Sequence, residues 1–158
     1  MSSLFSPDSS GILLYFWELR SCAYWQEFAE AKIIYPDIAQ RAEFAYSTSG
    51  HYLVNTLYFI PYESEWLCAL LNSSTMFWFY TKISTVIRGG GVRFIAQYVS
   101  QLPIPSASAE AKVRLAELAE GATKVKGAEL AEGEGEINRI VFGLFGLSAE
   151  EVTLVTGE

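Results

Sequence analysis

The chain has 158 residues, 51% of them apolar and 18% charged, which is enough for one domain with a buried core and too apolar for a disordered segment. A formal net charge of −7 argues at first against a nucleic-acid partner. The two cysteines, Cys22 and Cys68, lie far apart and fit neither a disulfide scaffold nor a structural zinc site.

In chain order, residues 1–10 are polar and lack the basic start of a secretory signal. Residues 12–20 are rich in strand formers and read as a strand. Ser21 is placed to cap a short helix running to about Ala29. Residues 32–38 form a strand that Pro36 confines to a sheet edge or breaks, because proline has no N–H for the ladder. Residues 43–46 are a short strand, 47–50 a turn, and 52–61 a strand closed by Pro61. Strands joined by small polar turns predict an antiparallel sheet.

Ser64 opens a helix with Trp66, Leu67, Leu70 and Leu71 on one face, and a second helical stretch follows from about Thr75 to Ile83. The apolar window 66–80 is interrupted by Asn72, Ser73, Ser74 and Thr75 and is too short to span a bilayer. A loop with three successive glycines occupies 88–93, residues 94–100 are short and amphipathic, and 102–105 are extended. Beyond Pro105 the composition shifts to Ala, Glu, Lys and Gly. Residues 109–120 and part of 123–132 favour helix, with Gly121 and Gly127 as weak points. Ile137, Ile140, Val141 and Leu144 follow helical spacing over 134–145, ended by Gly146, and Ser148 with Glu151 makes a capping box for a last helix.

These elements predict an α+β fold: an antiparallel, sheet-rich front, central helices and a helical C-terminal tail. The expected division is a core over 1–108 and a helical tail over 109–158 that packs on it or extends from it. The sheet and the central helices are expected to share a core through Trp17, Ile34, Leu57, Phe59, Leu67, Leu70, Leu71 and Phe77. The expected compartment is cytoplasmic, with no membrane partner.

Charge is unevenly distributed. Residues 1–65 carry three basic and eight acidic groups and 110–158 carry five and ten, whereas 66–109 contain no Asp or Glu and hold Lys82, Arg88 and Arg93. That segment reads either as a buried helix with a solvated turn or as an anion-facing surface. Backbone N–H groups at Gly89, Gly90 and Gly91, flanked by two arginines, suit phosphate oxygens. No catalytic constellation stands out. His51 is the single histidine and has no paired nucleophile; it reads as a loop histidine or a ligand contact. Glu30, Lys32 and Asp37 have the letters of a metal-dependent nuclease motif in the wrong order. No cysteine or histidine pair has metal-ligand spacing, and no phosphate-binding loop motif is present. The run Phe77, Trp78, Phe79, Tyr80 reads as core rather than as a stacking platform.

Several segments, in order, resemble one family. They are Trp17-Glu-Leu-Arg20, Lys32-Ile-Ile-Tyr-Pro-Asp-Ile38, Phe44 before a turn, Asn55-Thr-Leu-Tyr-Phe-Ile60 and Leu70-Leu-Asn-Ser73. Arg88-Gly-Gly-Gly91 with Arg93-Phe94, Gln101-Leu-Pro-Ile-Pro105 and the tail from Glu136 to Glu151 follow. Over roughly 13–156 the chain resembles the TaqI-like C-terminal specificity domain, the target-recognition domain of type IIG restriction-modification enzymes and related adenine-specific DNA methyltransferases. Tyr46 and Ser74 stand where that family more often has an acidic and a basic residue.

The resemblance implies a non-catalytic module that grips double-stranded DNA and reads base edges. A separate methyltransferase domain or subunit, with an associated nuclease, would bind S-adenosylmethionine and carry the chemistry. No cofactor or metal is expected in this chain. The DNA-facing set comprises Lys82, Arg88, Gly89, Gly90, Gly91 and Arg93 for phosphate, Arg41 for guanine and Asn55 for adenine. Thr48, Ser49 and His51 are adaptable partners, and Lys32 heads the strand leading to them. The alternative is a protein-interaction scaffold derived from the same family that no longer binds DNA, which the net charge and the acidic tail favour.

Overall fold

A computed structural model describes residues 5–7, 13–15, 25–48, 50–87 and 89–157, with side chains from residue 26 onward. The fold is α+β. β1 (Phe5–Pro7) pairs antiparallel with β2 (Leu13–Tyr15), and a 3-10 helix spans Trp25–Phe28. The expected front strand is therefore seen over 13–15. Its continuation, with Trp17 and the Ser21 cap, lies outside the described residues.

β3 (Lys32–Pro36) is the middle strand of a three-stranded sheet ordered β5–β3–β6, with β5 at Ala45–Ser47 and β6 at Leu57–Ile60. Both neighbours run antiparallel to it. The edge placement expected from Pro36 is thus wrong, and the break is right. β5 pairs only with Lys32, Ile33 and Ile34, so Pro36 lies past its end and its missing N–H leaves no gap on that side. The chain bends at Asp37, and Ile38 opens a separate short strand, β4 (Ile38–Ala39).

β5 and β6 both run toward the Lys32 end, so the chain between them must travel back along the sheet. Residues 52–56 therefore cannot extend β6 as predicted. They turn instead, with the Leu57 N–H donating to the Val54 carbonyl at 3.0 Å, and the Asp37 N–H donating to the Thr56 carbonyl at 2.9 Å.

α1 (Glu65–Leu71) and α2 (Ser74–Ile83) are capped by the hydroxyls of Ser64 and Ser73, which accept from the Leu67 and Met76 N–H groups. Alternation in β3 turns Ile33 and Tyr35 toward these helices, where both are buried. Ile34, expected in that core, is half-buried on the opposite face, opposite Phe59 in register. Phe59 packs on Phe28 with ring centres 5.0 Å apart, so Leu57 and Phe59 also serve this second layer. Leu70, Leu71 and Met76 fill the main core with an aromatic cluster in which Phe94 is central. Its ring stacks on Tyr80 at 4.4 Å and meets Phe44 edge-on at 5.7 Å. Tyr80 of the predicted core run is buried, and Phe77 and Phe79 pack against the core.

After α2 the chain folds back as a hairpin, described over 84–87 and 89–93. Its second arm is β7 (Val92–Arg93), paired antiparallel with β4. The turn is closed by the Ile87 N–H donating to the Gly91 carbonyl at 2.8 Å. Gly89 and Gly90 take φ of 101° and 84°, a region that disfavours any residue with a Cβ. α3 (Ala96–Val99) follows.

In the tail, α4 (Ala109–Ala122) lies along α1 and against α5 (Ala128–Phe145), while α6 (Ala149–Thr156) touches α2. The break between the long helices falls at 123–127. α5 starts six residues earlier than the expected 134 and takes Gly133 and Gly135 into its interior. Docking outweighs their poor propensity: Ile137 and Val141 are buried, and Ile140, Leu144 and Phe145 pack around them. The capping box is formed, with Glu151 accepting from the Ser148 N–H at 2.8 Å.

Candidate nucleic-acid interface

The predicted DNA-facing residues separate into groups along the sheet. β3 carries them apart by roughly 13 Å, at about 3.3 Å per residue from Lys32 to Pro36. At the Lys32 end lie Thr48 and His51, both exposed. The His51 Nδ1 shares a hydrogen bond of 2.8 Å with the Ser47 hydroxyl. Lys32 itself is fully buried, and its ammonium donates to the carbonyls of Phe28 at 2.8 Å and Glu30 at 2.7 Å. Its charge ties the 3-10 helix to the sheet and is turned away from solvent, which corrects its place in the DNA-facing set. Ser49 and Arg88 lie outside the described residues.

At the Pro36 end the structure gathers Asn55, Gly89, Gly90, Gly91 and Arg93. Asn55 is exposed in the turn before β6, next to Thr56, whose carbonyl holds the Asp37 N–H. Gly89 and Gly90 are exposed with open space at their Cβ positions, whereas Gly91 is buried against Ile38 and Ile87. Arg93 is not a bare cation. Its Nε and Nη2 each donate to an Asp37 carboxylate oxygen at 3.2 Å, a two-point pair that holds the guanidinium more firmly protonated.

Three further contacts fix this corner. The Phe94 N–H donates to the Asp37 carbonyl at 2.6 Å, and the Tyr80 hydroxyl donates to the Arg93 carbonyl at 2.7 Å. Burial pushes the Tyr80 hydroxyl up to about 12, so it stays a donor across the neutral range. The register also sets the side-chain faces. Ala39 and Val92 are paired and buried, so Ile38 and Arg93, paired one step along, face outward. Ile38 is 52% exposed.

The other candidates stand apart. Lys82, in the last turn of α2, is exposed and lies over the Trp78 ring at 5.0 Å. Arg41 is exposed in the loop between β4 and β5 and pairs with Glu43 at 3.4 Å. It borders a cleft of about 560 Å³ between α1, α2 and the tail helices, lined by Tyr46, Cys68 and Asn138 among others. Burial pushes the Cys68 thiol up to about 12, with the nearby Glu65 adding to the effect.

Sequence reasoning did not foresee the roles of four residues that build these surfaces: Asp37, Tyr80, Asn72 and Asn138. Asn72 brackets Phe44, accepting from its N–H at 2.9 Å and donating to its carbonyl at 2.8 Å. Asn138 accepts from both the backbone N–H and the hydroxyl of Ser74, at 2.8 and 3.1 Å. Ser74 thus anchors the tail, a role for the position where a basic residue was expected. Asp37, Asn72 and Asn138 carried a signal as members of the family segments, and Tyr80 as part of the apolar run.

Among the described residues no group of His, Cys, Asp and Glu is arranged to hold a metal, and no helix is long and apolar enough to cross a membrane. What the fold presents is a short β-ribbon and sheet end braced by helices, with polar side chains displayed on the adjoining loops. Comparison with known proteins gives the family. The TaqI-like C-terminal specificity domain matches residues 12–104, and the chain belongs to that family. It is similar to the type II methyltransferase M.PaeR7I of Pseudomonas aeruginosa, 32% identical over 133 residues, covering 82% of this chain and 22% of that protein. It is also similar to the type II methyltransferase M.XhoI of Xanthomonas vasicola, 32% identical over 128 residues, covering 78% and 22%. The chain therefore spans about a fifth of the length of either relative.

Proposed function

We propose that the chain is the sequence-specific, double-stranded DNA recognition module of a restriction-modification system of the adenine-N6, type IIG kind, and that it carries no catalysis of its own. The observation that supports this most is the match to a specificity domain across the sheet, α1, α2 and the hairpin, a stretch that includes Asn55, Gly89, Gly90 and Arg93. Catalysis belongs to a separate methyltransferase domain or subunit that binds S-adenosylmethionine, with any nuclease likewise separate; the similarity to two type II methyltransferases over about a fifth of their length supports this. Phosphate contacts come from Lys82 and Arg88, with Gly89 allowing close approach at the hairpin tip, where the Gly90 N–H is already given to the Ile87 carbonyl at 3.2 Å. Base contacts come from Asn55, Thr48 and His51 in the loops at both sheet ends, with Arg41 on the flank, and from Ser49, which lies outside the described residues. The working compartment is the cytoplasm, where the DNA is.

A second reading, a protein-interaction scaffold that has lost DNA binding, is favoured by the acidic tail and the net charge of −7. A salt titration separates the two. For a DNA reader, log affinity for duplex DNA falls linearly with log salt, at a slope set by the phosphates neutralised. A scaffold shows no duplex binding even at low salt. In the same preparation, labelled S-adenosylmethionine and mixed duplex DNA should yield no methyl transfer; robust transfer would contradict the non-catalytic assignment.

A further inference from the structure

We infer that the outward face of the β4–β7 ribbon enters the major groove and that Arg93, held by Asp37, reads a guanine there rather than gripping phosphate; this rests on the DNA-recognition reading above. The geometry of the pair carries the argument. Asp37 takes the Nε and Nη2 side of the guanidinium, two hydrogen bonds of 3.2 Å each. That leaves the Nη1 and Nη2 end of the fork, two parallel N–H donors, directed away from the carboxylate. This edge matches the O6 and N7 acceptors of guanine.

The fork is aimed by a rigid frame. The Asp37 backbone is bonded on both sides, to Thr56 and to Phe94, and the Arg93 carbonyl is held by Tyr80. A guanidinium fixed in this way gives up little side-chain freedom on binding. The pair is also close to neutral, so it adds little to the attraction for phosphate, and the Asp37 carboxylate repels a backbone oxygen. Both effects favour a base edge over the DNA backbone as the partner.

The surroundings fit a groove. The β4–β7 pair, flanked by Val86 through its bridge to Val92, presents a narrow outward face of the kind that β-ribbons lay in the major groove. Beside Arg93 on the same outward face is Ile38, an exposed apolar side chain suited to a thymine methyl group. Tyr58, the register partner of Tyr35 at the sheet edge, is exposed close by. Gly89 and Gly90 keep the hairpin tip slim enough for close approach.

The test uses the full chain and the duplex it selects from a random pool, with a panel carrying single base-pair changes. Arg93→Ala should lose discrimination at one G·C pair by roughly tenfold or more while leaving the salt slope within about half a unit of wild type. Arg93→Lys keeps the charge and loses the fork, so it should lose the same discrimination, which excludes a simple folding defect. Asp37→Asn frees a cation and should tighten binding to all duplexes, steepen the slope by about one unit and flatten the G·C preference. The inference is overturned if Arg93→Ala weakens all duplexes alike and lowers the slope by about one, the signature of a phosphate contact. It is overturned equally if all three variants discriminate like wild type, with DNA binding intact. If the wild-type chain selects no duplex, the recognition reading falls as well.

Discussion

Single residues hold this fold through two kinds of contact. Leu70 represents the first: it is fully buried between the sheet and the helices, so Leu70→Ala should cost about 2–5 kcal/mol, read as a drop in the urea midpoint. An unchanged midpoint would mean that the site collapses freely. Asn72 represents the second. Asn72→Ala removes two hydrogen bonds from the Phe44 backbone, but the Cys68 thiol still donates to the Phe44 carbonyl at 3.5 Å, and Asn72 itself is exposed. The expected cost is about 1 kcal/mol by chemical denaturation, smaller than for Leu70 despite the two lost hydrogen bonds. The two residues differ in how much could be read from sequence. Leu70 lies on an apolar helical stripe, a local pattern. Asn72 acts on a residue 28 positions away, and nothing in its neighbours' chemistry records that contact. The same holds for Asp37 and Arg93, 56 positions apart, whose pairing turns an apparently bare cation into an oriented one.

At the scale of elements, the helix starts at Ser64 and Ser148 and the proline break were legible because caps and breaks are set by a few adjacent residues, whereas Ser73, read as an interruption, turned out to cap α2. Strand limits were not. β6 begins at Leu57 rather than 52 because β3 ends at Pro36 and offers no partner beyond it, which only the pairing reveals. The glycines divide in the same way. Gly89 and Gly90 have positive φ, so Gly89→Ala or Gly90→Ala should each destabilise the hairpin by about 1–2 kcal/mol, seen as faster amide exchange over 86–93. Gly133 and Gly135 sit in ordinary helix with open space at their Cβ positions. Alanine at either should raise stability by about 0.5–1 kcal/mol, measured as a higher denaturation midpoint. Loss of stability there would show that α5 is not continuous through these positions.

For the whole molecule, three buried acids couple the core to pH. Burial pushes Tyr35, Cys68 and Tyr80 up to about 12 in the fold, from ordinary values of 10.0 for tyrosine and 9.0 for cysteine. The unfolded chain therefore gives up these protons first. Their stabilising effect is complete below about pH 9 and is lost as pH climbs toward about 12, so the urea midpoint should fall steadily over that interval. A flat profile would show that the three groups ionise without loss of the fold. The sequence conveyed the α+β class and the ordered family segments. It left open which predicted contacts share a surface, because that depends on sheet order and on the return of the chain between β5 and β6. The central claim is that this surface reads DNA sequence, and selection of the full chain against a pool of random duplexes tests it most directly. Repeated rounds should converge on one short shared motif, bound at least tenfold more tightly than scrambled duplex at the same salt. Recovery of unrelated sequences with equal affinity, or of none, would contradict it.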